Sequence, residues 1–130
     1  MISAALMCLA LNIYHEARSE PAVGQAAVAH VVLNRVMSNR WPNDVCKVVH
    51  QGYSKGKYKC QFSWYCDGKS DDPTDMVAWA KSVLLANEVL IGNVPDVTNG
   101  ATHYHARYVK PYWSAQLDKT VTYGSHIFYD

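Results

Sequence analysis

The sequence predicts an α+β domain, mainly helical, with a small antiparallel sheet near the C-terminus. Three observations carry that prediction. Apolar residues recur at helical spacing through the first two thirds of the chain. After Asn99-Gly100 the pattern changes to short runs rich in Thr, Tyr and Val, which favour strands. The 130 residues fit a single domain, 1–130, and leave little room for a second.

Ile2, Ala5, Leu6, Leu9 and Ile13 follow helical spacing, so residues 2 to about 19 read as an amphipathic helix that Pro21 ends. A second helix is expected from about Ala22 to Met37. Its centre, residues 26–33, is apolar nearly all round, the mark of a helix buried in the middle of a domain. A short helix follows Pro42. Residues 51–72 are rich in Gly, Lys, Asp and Tyr and show no period, which predicts a long and functional loop. Asp72-Pro73-Thr74-Asp75 opens a further helix whose expected apolar face is Met76, Ala80, Val83, Leu84, Asn87 and Leu90. Strands are expected at residues 102–105, 120–123 and 126–129.

Composition narrows the function. The chain is 49% hydrophobic and 18% charged, as a packed core requires. Its net charge is +1, from 12 Lys plus Arg against 11 Asp plus Glu, which gives no electrostatic case for nucleic-acid binding. No stretch approaches the roughly 20 apolar residues of a membrane span. Residues 1–11 are apolar but lack a basic leader, since the first Lys or Arg is Arg18. They read as the first helix, and the chain is expected to be made without its own export signal. Among the four cysteines, Cys60 and Cys66 bracket a segment that a disulfide could close, with Cys46 the other partner open to Cys60. Cys8 lies on the apolar stripe and is expected as a buried thiol.

Glu16 is the informative residue for chemistry. It falls three residues after Ile13 and seven after Leu9, so it continues the apolar face of the first helix. A carboxyl there either pairs inside the protein or faces an apolar cleft, where desolvation holds it protonated. A protonated carboxyl in a cleft can deliver a proton to a leaving oxygen. The structural alternative is an ion pair with Arg18 or Arg35. Glu20, beside Pro21, is the second candidate acid; its other role is to position the start of the next helix. Gln61, Phe62, Ser63 and Trp64 in the long loop, with Gln25 and Asn34, offer stacking and hydrogen bonds to a sugar. The alternative for the aromatics is a loop pinned to the core. His103 and His105 alternate on a strand and invite a metal, but no third ligand or HExxH helix accompanies them. No metal or cofactor is expected, and these histidines with Tyr104 are read as sugar-contacting or structural.

Several separated blocks, in order, resemble the SleB/CwlJ-type cell wall hydrolases. They are Glu16-Ala17-Arg18-Ser19-Glu20-Pro21, Gly24-Gln25-Ala26-Ala27-Val28-Ala29, Val32-Leu33-Asn34-Arg35-Val36, Cys60-Gln61-Phe62-Ser63, Ala101-Thr102-His103-Tyr104-His105-Ala106, Pro111-Tyr112-Trp113 and Gly124-Ser125-His126-Ile127-Phe128-Tyr129. The resemblance covers nearly the whole chain. It implies a fold similar to lysozyme and lytic transglycosylases, and cleavage of peptidoglycan glycan strands between N-acetylmuramic acid and N-acetylglucosamine. It also implies that the glutamate opening the EAR motif, Glu16 here, is the catalytic acid. A catalytic domain without an export signal further resembles a phage endolysin, held in the host cytoplasm before release and acting on the wall from the periplasm, and a monomer is expected. The rival activities are a muramidase drawing a second carboxylate from Glu20, Asp67, Asp71 or Asp72, a zinc amidase using His103 and His105, and a non-catalytic glycan-binding module.

Overall fold

The computed structural model describes residues 2–130. The first helix, α1 (Ala4–Ala17), starts where the Ser3 hydroxyl accepts the Leu6 N–H at 3.2 Å. Its Leu9, Ala10 and Ile13 are fully buried. Burial of Leu9 and of Ile13 contributes on the order of 1.5–3 kcal/mol each. The turn after α1 brings in α2 (Ala22–Met37), whose residues Ala26 through Val32 are all buried, as its uniformly apolar centre requires. Residues 38–44 lead to α3 (Val45–Val49), capped by Asp44, and the long segment 50–75 leads to α4 (Met76–Leu90), capped by Asp75. Helix α1 is the hub, packing on all three others.

The C-terminal strands are β1 (His103–Ala106), β2 (Lys119–Tyr123) and β3 (His126–Tyr129). They form one antiparallel sheet in the order β1-β3-β2. The register sets Tyr104 and Val121 opposite Phe128. Alternation then puts Tyr104, His126 and Phe128 on one face and His103, His105 and Tyr129 on the other. The first face packs on the helices: Phe128 is fully buried against Ala17, Ala27, Val28 and Val31.

Three expectations are corrected. Cys8 is not a free thiol: it is disulfide-bonded to Cys46, with Cα atoms 5.3 Å apart, while Cys60 pairs with Cys66. The apolar stripe explains the burial of Cys8, and α3 brings Cys46 against the same end of α1. The face of α4 is also rotated from the expected one. Met76 and Leu84 are exposed, and the buried positions are Ser82, Ala86 and Val89. Ser82 hid the true stripe, because its hydroxyl donates to the Ala78 carbonyl at 2.9 Å and is thereby satisfied inside the core. Helix α1 is shorter than expected at both ends, so Glu20 sits in the turn beyond it.

Candidate active site

Glu16 lies in the last turn of α1, partly buried. The inner face of the sheet meets it there: the Tyr104 hydroxyl donates to Glu16 Oε1. Burial raises the Glu16 pKa, and the phenol opposes that by favouring the carboxylate. Burial and the neighbouring carboxyl in turn push the Tyr104 phenol well above its ordinary value, so it remains a donor. Among the described residues, no Lys, Arg or His nitrogen lies within 4.0 Å of Glu16; the ion-pair alternative with Arg18 or Arg35 is absent. The pair Glu16–Tyr104 can therefore hold a proton on a carboxyl, release it, and support the carboxylate left behind.

Arg35 is the buried cation near this pair that the sequence reading undervalued. It is 2% exposed and its Nε donates to the Thr102 carbonyl at 2.7 Å. Its Nη1 has no partner. The guanidinium sits 5.6 Å from the Phe62 ring centre and 5.3 Å from that of Trp41. Burial lowers its pKa to about 10, which leaves it cationic at neutral pH, and its charge acts on Tyr104. The signal was available. Arg35 follows Val28, Val31 and Val32 on one face of α2, as Glu16 follows Leu9 and Ile13 on α1.

Glu20 has a different environment. Its Oε1 accepts the Ser125 N–H at 2.7 Å and lies 3.9 Å from His126 Nδ1. Gln25 Nε2 donates to the Glu20 carbonyl at 3.0 Å. Gly124, at φ +54°, makes room for this contact: a Cβ there would meet the Glu20 carboxylate and come within 2.9 Å of Pro21 Cδ. Glu20 thus ties the β2–β3 turn to the α1–α2 turn.

The remaining sequence-predicted residues divide between the core and the surface. Phe62 and Trp64 are buried; Trp64 Nε1 donates to Asn12 Oδ1 at 2.9 Å and its ring stacks on His15 at 4.6 Å. Those ring faces serve the protein, and Gln61 and Ser63 beside them are exposed. Asn34 Nδ2 donates to Asp96 and to the Ala101 carbonyl, which holds the segment entering β1. His103 and His105 lie on the outer face of the sheet, both against Trp113. His105 Nε2 is 2.8 Å from the Tyr129 hydroxyl and its Nδ1 2.8 Å from the Ala106 carbonyl. Burial, with Arg35 and Arg40 nearby, lowers His103 to about 4 and keeps it neutral. Among the described residues no three His, Cys, Asp or Glu side chains gather as a metal site needs. A hollow of about 660 Å³ lies between the α1–α2 turn and α4, lined by Arg18, Glu20, Lys81 and Leu84 but not by Glu16.

A partly buried glutamate at a helix end, its pKa raised by burial and its carboxyl met by a tyrosine hydroxyl from the small sheet, marks where the helical body and the sheet meet. The comparisons with known proteins place the domain. The family model described as Cell Wall Hydrolase matches residues 19–129, and the chain belongs to that family, in its SleB/CwlJ branch. The match begins three residues after Glu16. The chain is 33% identical over 126 residues to a spore cortex-lytic enzyme of Halalkalibacterium halodurans, covering 95% of this chain and 34% of that protein. It therefore spans about a third of that relative's length. Among solved structures it resembles the catalytic domain of the Bacillus cereus SleB protein, with TM-score 0.73, 31% identity, and coverage of 97% of this chain and 89% of that one. It also resembles the catalytic domain of the germination-specific lytic transglycosylase SleB from Bacillus anthracis, with TM-score 0.69, 26% identity, and coverage of 100% and 97%. The helical body with its small C-terminal sheet is the α+β layout that the sequence pattern predicted.

Proposed function

We propose that this domain cleaves peptidoglycan glycan strands between N-acetylmuramic acid and N-acetylglucosamine, as a lytic transglycosylase. The observation that carries the proposal is the partly buried Glu16 with the Tyr104 hydroxyl on its carboxyl. In the first step Glu16 gives its proton to the glycosidic oxygen as the bond to the muramic anomeric carbon breaks. The Tyr104 phenol then donates to the new carboxylate. In the second step that carboxylate takes the proton of the muramic C6 hydroxyl, whose oxygen closes on the anomeric carbon. The product carries a 1,6-anhydro-muramic end and Glu16 is protonated again. One carboxyl serves both steps. The printed description of the Bacillus anthracis neighbour as a lytic transglycosylase supports this choice.

A muramidase needs a second carboxyl, about 5 Å from the acid for retention or ~6.5–9.5 Å for inversion. The engagement of Glu20 by Ser125 counts against that residue as the second group. Mass spectrometry of digested sacculi decides: anhydro ends are expected, and reducing muramic ends refute the transglycosylase. Glu16→Gln is expected to stay folded and lose turnover by ~10²-fold or more. Full activity in that folded variant moves the acid elsewhere.

The proposal extends to a phage endolysin, stored in the host cytoplasm and acting on the wall after release. On that reading the two disulfides close once the protein leaves the reducing cytosol. A protein isolated from host cytoplasm before lysis with both bonds already formed would contradict it.

A further inference from the structure

We infer that residues 51–69 form an anion-binding site for the carboxylates of peptidoglycan stem peptides. This rests on the reading of peptidoglycan as the substrate. The segment carries Lys55, Lys57, Lys59 and Lys69 against Asp67, in a chain whose net charge is only +1. All four lysines are exposed, and among the described residues none lies within 4.0 Å of a carboxylate. They converge in pairs on two hollows. Lys57 and Lys69 line one of about 530 Å³, with Tyr53, Ser54 and Tyr65; Lys55 and Lys59 line another of about 310 Å³, with Gln51 and Gln61. No carboxylate lines either one. The large hollow beside α4 contrasts with them, since Glu20, Asp75 and Glu88 oppose its Arg18 and Lys81. Asp71 and Asp72 follow the segment in sequence and line neither lysine hollow.

The lysines stand on a frame that is already folded. The Cys60–Cys66 disulfide closes the segment, and the Tyr58 N–H donates to the Cys66 carbonyl at 2.9 Å. At Gly52, φ +92°, a Cβ would come within 2.6 Å of the Lys59 carbonyl, so the backbone packs on itself there. Such preorganisation lowers the entropic cost of binding. Exposed Tyr53 and Tyr58 add apolar faces beside the ammonium groups.

Position connects the patch to the candidate acid. The same segment sends Trp64 onto His15, the residue before Glu16. A stem peptide hangs from every muramic residue and reaches ~3.3–3.6 Å per residue when extended. A strand lying across Glu16 would therefore present its peptide carboxylates towards this end of α1.

Binding is measured with Glu16→Gln protein, so that the strand is not consumed, on sacculi freed of phosphate polymers. Its partner variant also carries Lys55→Gln, Lys57→Gln, Lys59→Gln and Lys69→Gln. Intact sacculi are expected to bind the lysine variant at least ~5-fold more weakly, with a flatter salt dependence. Glycan stripped of its peptides by an amidase is expected to bind both proteins equally. Equal loss on both substrates, or no loss on either, overturns the site. Lysine dependence that appears only on walls retaining phosphodiester polymers overturns the carboxylate assignment. Circular dichroism checks that the variant is folded, and single lysine substitutions replace it if it is not. Lysine-dependent binding without any Glu16-dependent cleavage overturns the enzyme reading alone; cleavage without lysine-dependent binding overturns the site alone.

Discussion

Removing the Tyr104 hydroxyl tests the central pair more sharply than removing the acid. Two effects set the proton affinity of Glu16: burial raises it, and the Tyr104 hydrogen bond lowers it. Tyr104→Phe keeps the ring against Phe128 and His126 and deletes only the second effect. A hydrogen bond to a charged group contributes about 1.5–3 kcal/mol. Roughly half of that survives with a neutral acid, which can still accept on its carbonyl oxygen. At about 1.4 kcal/mol per pKa unit, the difference lifts Glu16 by roughly one unit. The assay is the pH profile of kcat/KM on soluble glycan strands. An acid must be protonated in the free enzyme, so activity falls as pH rises through the Glu16 pKa. The alkaline limb in Tyr104→Phe should therefore move up by about one unit, while the maximum rate drops because the carboxylate loses its donor. A limb that stays in place or moves down refutes the assignment of Glu16 as the titrating acid or of Tyr104 as its donor.

Other expectations follow from the same structure. The raised pKa of Glu16 adds stability while the group is protonated, and that contribution is lost as pH rises through the folded-state value. Thermal melts across the weakly acidic range should show this loss in the wild type and not in Glu16→Gln. Breaking Cys8–Cys46, with a sequence separation of 38, should cost about 4 kcal/mol on the chain-entropy model, against about 2 for Cys60–Cys66 with its separation of 6. Denaturant melts of Cys8→Ser and Cys60→Ser rank the two. Gly124→Ala should lose about 1–2 kcal/mol to its left-handed backbone and further stability from the clash with Glu20, read as a lowered Tm.

Helices whose burial is uniform or strictly periodic were legible in the sequence. The expected bounds of α2 are the observed ones, because its centre is apolar all round and Pro21 fixes its start. The strands fell within a residue or so of expectation for a similar reason, since their β-branched and aromatic runs end at Gly100 and Gly124. The face of α4 was misread because periodicity counts Ser82 as polar and Leu84 as apolar, while the fold buries the first and exposes the second. Which cysteine meets which depends on where α3 docks, and spacing along the chain does not encode that. For the candidate site, the burial of Glu16 was readable from its own helix. Its partner was not, because Tyr104 comes from a strand 88 residues away.

Glu16 and Glu20 show how position divides one chemistry into two roles. They are four residues apart, and both meet the C-terminal sheet. Glu20 lies beyond the helix, where a backbone N–H from the β2–β3 turn satisfies its carboxylate. A donor with no proton to spare and no freedom to move makes a good brace and a poor proton shuttle. Glu16 lies within the helix, where its only described hydrogen-bond partner is a phenol that can follow either protonation state. Arg35 completes the difference. A buried cation without a carboxylate is costly, and a fold selected for stability alone would favour an apolar residue there. Burial and the Glu16 carboxyl raise the Tyr104 pKa, and the Arg35 charge opposes them, which favours the phenol as a donor. On the proposed mechanism, the stability that Arg35 costs is coupled to the one state of the site in which Glu16 is a carboxylate.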